Sequence, residues 1–251
     1  MTAALAFQLP NIKITCRKIL QQQEMFHVKH ALQKNNLLLA GGRAPKKAWL
    51  KKLTASENYK IFCADKGVIY ALAAGLSPAL VVGDCDSTDM QAYKAAQESG
   101  ARIDLHSPAK DDTDLQLLLQ QLPEGNLVVT GIWGGRFDHL FSNVYSLLAF
   151  KQQRDCQVIM ADDNELMVLL NADEAVVLFI DEPETVQAVS LLTLSAAACV
   201  SIDGVRWPLH NAELTQQRPY AISNLPTQNN VTCQCLSGNA GIYIRWRDDR
   251  L

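Results

Sequence analysis

The sequence predicts an α/β fold in which an N-terminal, mostly parallel Rossmann-like sheet with helices on both faces is followed by a C-terminal antiparallel β-sandwich domain. Three observations carry that expectation. Short apolar runs alternate with amphipathic segments from residue 36 to about 164. Helical periodicity then fades, and from 165 to 251 the apolar residues alternate or run between turn residues. Finally, the polar and glycine-rich stretches of the first half fall directly after the apolar runs, where open α/β sheets bind ligands.

Residues 1–35 form an N-terminal extension of uncertain role. Arg17, Lys18, Lys29 and His30 interrupt its apolar pattern, and no small-residue cleavage site follows a hydrophobic core, so a signal peptide is not expected. A frayed extension, an upstream start before Met25, or an arm that adds to the fold all remain open.

The first clean strand is 37–40 (LLLA), followed by a Lys-rich helix over 46–55. A strand at 61–64 leads to a helix over 67–74 that ends at Gly75, a suitable C-cap glycine. The third strand is 80–82, and beyond it come a helix over 88–98, a strand at 102–106, a helix over 112–121 and a strand at 127–130. A helix over 137–150 and a strand at 157–160 complete the series. Crossovers of this length imply parallel pairing and right-handed connections. In the second half, 175–180, 188–194, 231–235 and 241–246 read as strands of a small sandwich.

With 251 residues, 48% of them hydrophobic, the chain can bury two modest cores. Its 23 Lys and Arg against 26 Asp and Glu argue against nucleic acid or an anionic membrane as partner. The longest apolar stretch, VIYALAAGLSPALVV, carries Gly75 and Pro78 and falls short of the roughly 20 residues of a membrane span. Seven cysteines, several in apolar runs and without zinc-site spacing, point to a reduced cytoplasmic chain. Cys233 and Cys235 share one face of a strand, as core packing would have it.

The chemistry concentrates in three segments. VVGDCDSTD crowds Asp84, Asp86 and Asp89 at the end of a buried strand. Like charges about 4 Å apart repel by roughly 4 kcal/mol at an effective dielectric of about 20, so the group calls for a divalent cation or a raised pKa. SPAKDDTDLQLLL sets Lys110, Asp111, Asp112, Thr113 and Asp114 before a helix. Helix capping explains that segment by itself; beside the neighbouring acidic turn, Asp111 can join Asp84 and Asp86 around Mg²⁺, with Lys110 on a phosphate. VVTGIWGGRFDHLFSN supplies Gly131, Gly134 and Gly135 for close backbone approach and Arg136 for phosphate oxygens, then Asp138 and His139 near a helix start. No G-x-x-x-x-G-K-[ST] and no G-x-G-x-x-G after the first strand is present, which disfavours ordinary P-loop and dinucleotide sites.

In order, CADKG, VVGDCDS, KDDTD, GGRFDHLFSN, GVRWPL and ISN resemble the thiamine pyrophosphokinase family over about 37 to 246. The resemblance implies transfer of a pyrophosphoryl group from ATP to the thiamine hydroxyl, giving thiamine diphosphate and AMP, with Mg²⁺ as cofactor, in a homodimer. Asp84 and Asp86 match the family's G-D-x-D-S, and Asp111, Thr113 and Asp114 its D-x-T-D. Gly134, Gly135, Arg136, Asp138, His139 and Asn143 match its G-G-R-x-D-H-x-x-x-N at the nucleotide site. Asp65 begins a segment where the family often has D-G-G-A-N and this chain has DKGVI, and the family's S-N-E reads Ser223, Asn224, Leu225. Those two departures bear on the acceptor. A hydroxymethylpterin or a non-catalytic, nucleotide-binding role are the alternatives. Trp207 can face the thiazolium cation or anchor the sandwich core, and Ser223 and Asn224 can touch substrate or make a turn. Either Asp114 or Asp138 can take the hydroxyl proton.

Overall fold

The computed structural model describes residues 5–19, 35–84 and 90–247. The described chain divides into two compact units: an α/β unit that ends at Asp163, and a β unit that joins the N-terminal strands to the chain from Asn164 onward. The second unit begins with a hairpin, β1 (Leu5–Leu9) and β2 (Ile12–Lys18), turned through Asn11 at φ 68°. In β2, Ile12, Ile14 and Cys16 are buried while Lys13 and Arg17 face outward. The charges that break helical periodicity therefore suit a half-buried strand. The N-terminal segment in this way supplies part of the fold, and Asn164 lies at the boundary between the units.

The α/β unit runs β3 (Asn35–Leu39), α1 (Lys47–Ser56), β4 (Tyr59–Ala64), α2 (Gly67–Ala73), β5 (Leu80–Asp84), α3 (Met90–Glu98), β6 (Arg102–His106), α4 (Asp114–Gln121), β7 (Asn126–Thr130), α5 (Phe137–Gln152) and β8 (Val158–Ala161). Its strands lie in the order β8-β7-β3-β4-β5-β6, and every pairing in that series is parallel. Both faces of the central strands are covered, since all five residues of β7 are buried and Leu37, Leu38 and Leu39 are fully so. The helices cover them with apolar residues at helical spacing, Leu115, Leu118 and Leu119 on α4 among them. Each such leucine contributes roughly 1.5–3 kcal/mol by burial. Helix α2 stops where Gly75, at φ +79°, donates its N–H to Leu72 O at 2.9 Å.

Strand order decides where the loops gather. The chain steps outward from β3 through β4 and β5 to β6, then returns to set β7 on the other side of β3. The turns after β3 and β7 thus leave the sheet side by side at the point where the order reverses.

The β unit continues with β9 (Glu165–Leu170), β10 (Glu174–Ile180), β11 (Val186–Thr193), β12 (Ala197–Asp203), β13 (Leu209–Thr215), β14 (Asn230–Ser237) and β15 (Ala240–Trp246). Strands β1-β2-β10-β14-β12-β13 are consecutive neighbours, and β11-β15-β9 form a second antiparallel series. Cys16 and Cys233 both pair with Val176, and all three are buried. Cys233 and Cys235 are fully enclosed, and burial raises the Cys233 thiol pKa and pushes Cys235 up to about 12, so both thiols stay protonated at neutral pH. Among the described residues no helix is long and apolar enough to cross a membrane.

Candidate active site

Two glycine turns build the floor of a cleft at the C-terminal edge of the parallel strands. Ala40 donates its N–H to Thr130 O at 2.8 Å, Gly42 to Gly131 O at 2.6 Å, and Arg43 to Trp133 O at 2.6 Å. The backbones lie so close that a Cβ on Gly42 would stand 2.7 Å from Gly131 O. Gly131 itself has φ +65°, which a side chain would disfavour. Tyr70 Oη donates to Gly42 O at 2.8 Å, and Arg43 ties the turn to Asp162, its Nε and Nη2 donating to Oδ2 at 2.9 and 2.6 Å. The Asp162 side chain is fully buried.

The cleft encloses about 690 Å³. Asp65, Asp84, Lys110, Asp111, Thr113 and Asp114 line it together with Gly134, Gly135, Arg136, His139 and Asn143. Residues far apart in sequence thereby share one solvent space, lined by carboxylates, glycines and a guanidinium. Asp86 lies outside the described residues, with Cys85, Ser87, Thr88 and Asp89.

Asp65 follows β4 at φ +50°, a region that non-glycine residues seldom enter, and its N–H donates to Val82 O at 2.9 Å. Burial, then the charge and hydrogen bond of Asp114 and the charge of Asp84, push its carboxyl pKa up to about 7, with Lys110 opposing. Asp114 is buried and accepts from Lys110 Nζ at 2.7 Å. Thr113 caps α4: its Oγ1 accepts the Gln116 N–H at 3.3 Å, while Gln116 Oε1 accepts the Thr113 N–H at 2.8 Å. Capping and cleft lining are thus compatible in one segment, because the cap uses Thr113 and leaves its acidic neighbours toward the cleft.

Among the described residues no three His, Cys, Asp or Glu side chains converge as a metal cage. The chemistry of the donor set nevertheless suits a divalent cation. Burial first, and then the two further carboxylates beside it, keep a proton on Asp65 to about pH 7, and a cation in that space would offset the charge of such a group.

Asp138 stands apart from this set. The N-cap of α5 is Arg136, without a side-chain cap bond, and Asp138 lies in the first turn, exposed. It accepts from Arg136 Nε at 3.1 Å and from Nη2, and that guanidinium holds its carboxyl pKa below the usual range. Its carboxylate does not line the cleft, whereas Arg136 does.

The β unit has a pocket of its own, about 230 Å³, lined by Trp207, Tyr220, Ile222 and Asn224 over an apolar base that includes Leu191 and Leu209. Trp207 is 55% exposed and has the Arg206 guanidinium 5.0 Å from its ring centroid. Ser223 sits beside the pocket at φ +61°, its N–H donating to Ser190 Oγ at 3.1 Å. Sequence reasoning did not single out Tyr220 and Ile222 of the pocket or the Arg43–Asp162 tie.

Comparison with known proteins bears on both regions. Residues 50–160 match the family model described as thiamin pyrophosphokinase, catalytic domain, and 176–238 match that described as thiamin pyrophosphokinase, vitamin B1 binding domain. Together the two matches span more than half of the chain. A thiamine pyrophosphokinase of Bacillus subtilis is 27% identical over 164 residues, covering 64% of this chain and 75% of that protein. Thiamine pyrophosphokinase 2 of Oryza sativa subsp. japonica is 25% identical over 167 residues, covering 62% of this chain and 61% of the relative. Among solved structures, the Bacillus subtilis enzyme superposes with a TM-score of 0.70 at 24% identity, covering 86% of this chain and all of that one. The yeast enzyme does so with 0.69 at 15% identity, covering 88% and 89%. At these identities the structural likeness speaks to the fold alone.

Proposed function

The chain belongs to the thiamine pyrophosphokinase family, and from that membership we propose that its cleft transfers pyrophosphate from ATP to the thiamine hydroxyl, giving thiamine diphosphate and AMP. The observation that carries the reading is that Asp65, Asp84, Asp111 and Asp114 line one solvent space together with Arg136 and two glycines. That arrangement suits a polyphosphate with its counter-ion.

In this reaction the thiamine oxygen attacks the β-phosphorus, the bond from that phosphorus to the bridging oxygen of AMP breaks, and the hydroxyl proton passes to a carboxylate. Of the two candidate acceptors, Asp114 is favoured because it lines the cleft while Asp138 is engaged by Arg136 at the surface. Asp84 and Asp111, with Asp86, would hold Mg²⁺, which when bound neutralises charge on the phosphate oxygens. Arg136 and Lys110 grip those oxygens, and the N–H groups of Gly134 and Gly135 and of the α5 start are suited to the rest, with Asp65, Thr113, His139 and Asn143 completing the nucleotide walls. Most of the work is positioning and charge neutralisation.

The thiamine-binding pocket on this reading is that of the β unit, with Trp207, Ser223 and Asn224. The parallel series is then the Rossmann-like nucleotide-binding half, about 36–164, and the two antiparallel series make the sandwich of 165–251, extended by the N-terminal hairpin. We read the protein as a cytoplasmic homodimer acting on small molecules, with neither nucleic acid nor membrane as partner. The free thiols of Cys63, Cys199, Cys233 and Cys235 and the near balance of charge support that setting.

The test is AMP release from Mg·ATP with thiamine added or omitted. Thiamine-dependent AMP is expected, and ADP as the main product overturns attack at the β-phosphorus. Lys66, which lines the cleft where the family often has glycine, motivates a parallel assay with a hydroxymethylpterin. Faster turnover of the pterin would reassign the acceptor, and tight ATP binding without AMP from either would favour a non-catalytic nucleotide-binding role.

A further inference from the structure

We propose that Asn224 is a positioning residue, one that holds Trp207 in the wall of the β-unit pocket and acts on the acceptor only through it. The inference rests on the reading of that pocket as the thiamine site. Asn224 is fastened on two sides. Its backbone N–H donates to Val189 O and its carbonyl accepts the Val189 N–H, both at 2.8 Å, a bridge to β11. Its carboxamide then spans to a single residue on a different turn: Oδ1 accepts the Trp207 backbone N–H at 3.1 Å, and Nδ2 donates to Trp207 O at 2.7 Å.

The remaining capacity of the amide argues against a direct polar role. Oδ1 also accepts the Leu225 N–H at 2.9 Å, so both of its lone pairs are engaged and a single Nδ2 hydrogen is left. Trp207 is more than half exposed, with the Arg206 guanidinium 5.0 Å from its ring centroid, so the orientation of its backbone bears on where the indole face stands. Arg206 N–H donating to Leu225 O at 2.8 Å is the neighbouring tie between the same two turns, but it does not hold the Trp207 peptide itself. Asparagine is the residue type that can accept and donate at this spacing; aspartate can only accept, and alanine does neither.

Trp49, Trp133 and Trp246 are buried, so iodide quenching of tryptophan emission reads Trp207 selectively, without substrate. In N224A the quenching constant should rise about twofold and the thiamine KM about tenfold, as expected for loss of one to two net hydrogen bonds, while the ATP KM stays within about twofold. N224D should lie between N224A and the parent in both readouts. In the W207A background, N224A should add no further rise in thiamine KM. Unchanged quenching in N224A, or KM effects that multiply in the double variant as a direct contact would make them, overturns the proposal. If W207A leaves the thiamine KM unchanged while N224A still alters quenching, the acceptor-pocket reading falls and the Asn224–Trp207 clamp stands.

Discussion

The two edges of the parallel sheet are built on opposite principles. At the N-terminal edge, a chain of neutral and single-charge contacts ties several polar groups together, although Asn36 Oδ1 is buried without a hydrogen-bond partner. Asn35 donates to Glu57 at 2.5 Å and accepts from Asn126 at 3.2 Å, and Asn126 Oδ1 accepts the Gln157 N–H at 3.1 Å. Lys151, almost wholly buried on α5, donates to Cys156 O at 2.9 Å and Gln157 Oε1 at 3.3 Å. At the C-terminal edge, Asp65 occupies a left-handed conformation, and burial together with two neighbouring carboxylates keeps its proton on to about pH 7. One edge pairs polar groups within the unliganded fold. The other stores repulsion and backbone strain that a cationic and phosphate-bearing ligand relieves.

Substitutions at the two edges should therefore separate activity from stability. The largest effect is expected for Asp84→Asn: kcat/KM for AMP formation should fall about 10³-fold, the scale of a lost electrostatic group in a transition state, with little change in the urea midpoint. Comparable loss of midpoint would erase the contrast. At the opposite edge, Asn126→Ala removes the donation to Asn35 and leaves the Gln157 N–H without its acceptor, and should cost about 2 kcal/mol in denaturant unfolding, with activity per folded molecule within about twofold.

The smallest effect sharpens the comparison through pH. Because the folded Asp65 carboxyl titrates at about 7 and its ordinary value is 3.8, the folded state holds the extra proton between those values. Metal-free stability should accordingly fall as pH rises from about 4 through about 7 and lose that slope in Asp65→Asn, as thermal melts across the range will read. Added Mg²⁺ should flatten the same slope.

Much of the α/β unit was legible because its signals are local. Strand after strand ends in a polar or glycine turn, and a parallel sheet brings such turns to one edge whatever their separation in sequence. That rule alone gathers Asp84, Asp111, Asp114 and Arg136. What stayed hidden depends on long-range pairing or on side-chain direction. Arg43 and Asp162 meet across 119 positions, and no local pattern at either residue announces the other. The turn of Asp138 away from the cleft follows from its bond to Arg136 two positions earlier, a rotamer choice rather than a spacing. The hairpin of β1 and β2 was obscured by its charges, whose outward alternation has meaning only once β10 supplies the partner face.

That hairpin has a consequence for how the molecule is made. Lys18 pairs with Glu174, so β2 emerges from the ribosome well before the strand that completes its sheet. At roughly 5–20 residues per second, the intervening chain takes on the order of ten to thirty seconds to synthesise. During that interval an amphipathic ribbon with an unpaired edge stands free while the whole α/β unit is translated behind it. The nascent chain is therefore most exposed to holdase capture, or to pairing with the same ribbon on a neighbouring polysome, in the window that closes when β10 appears.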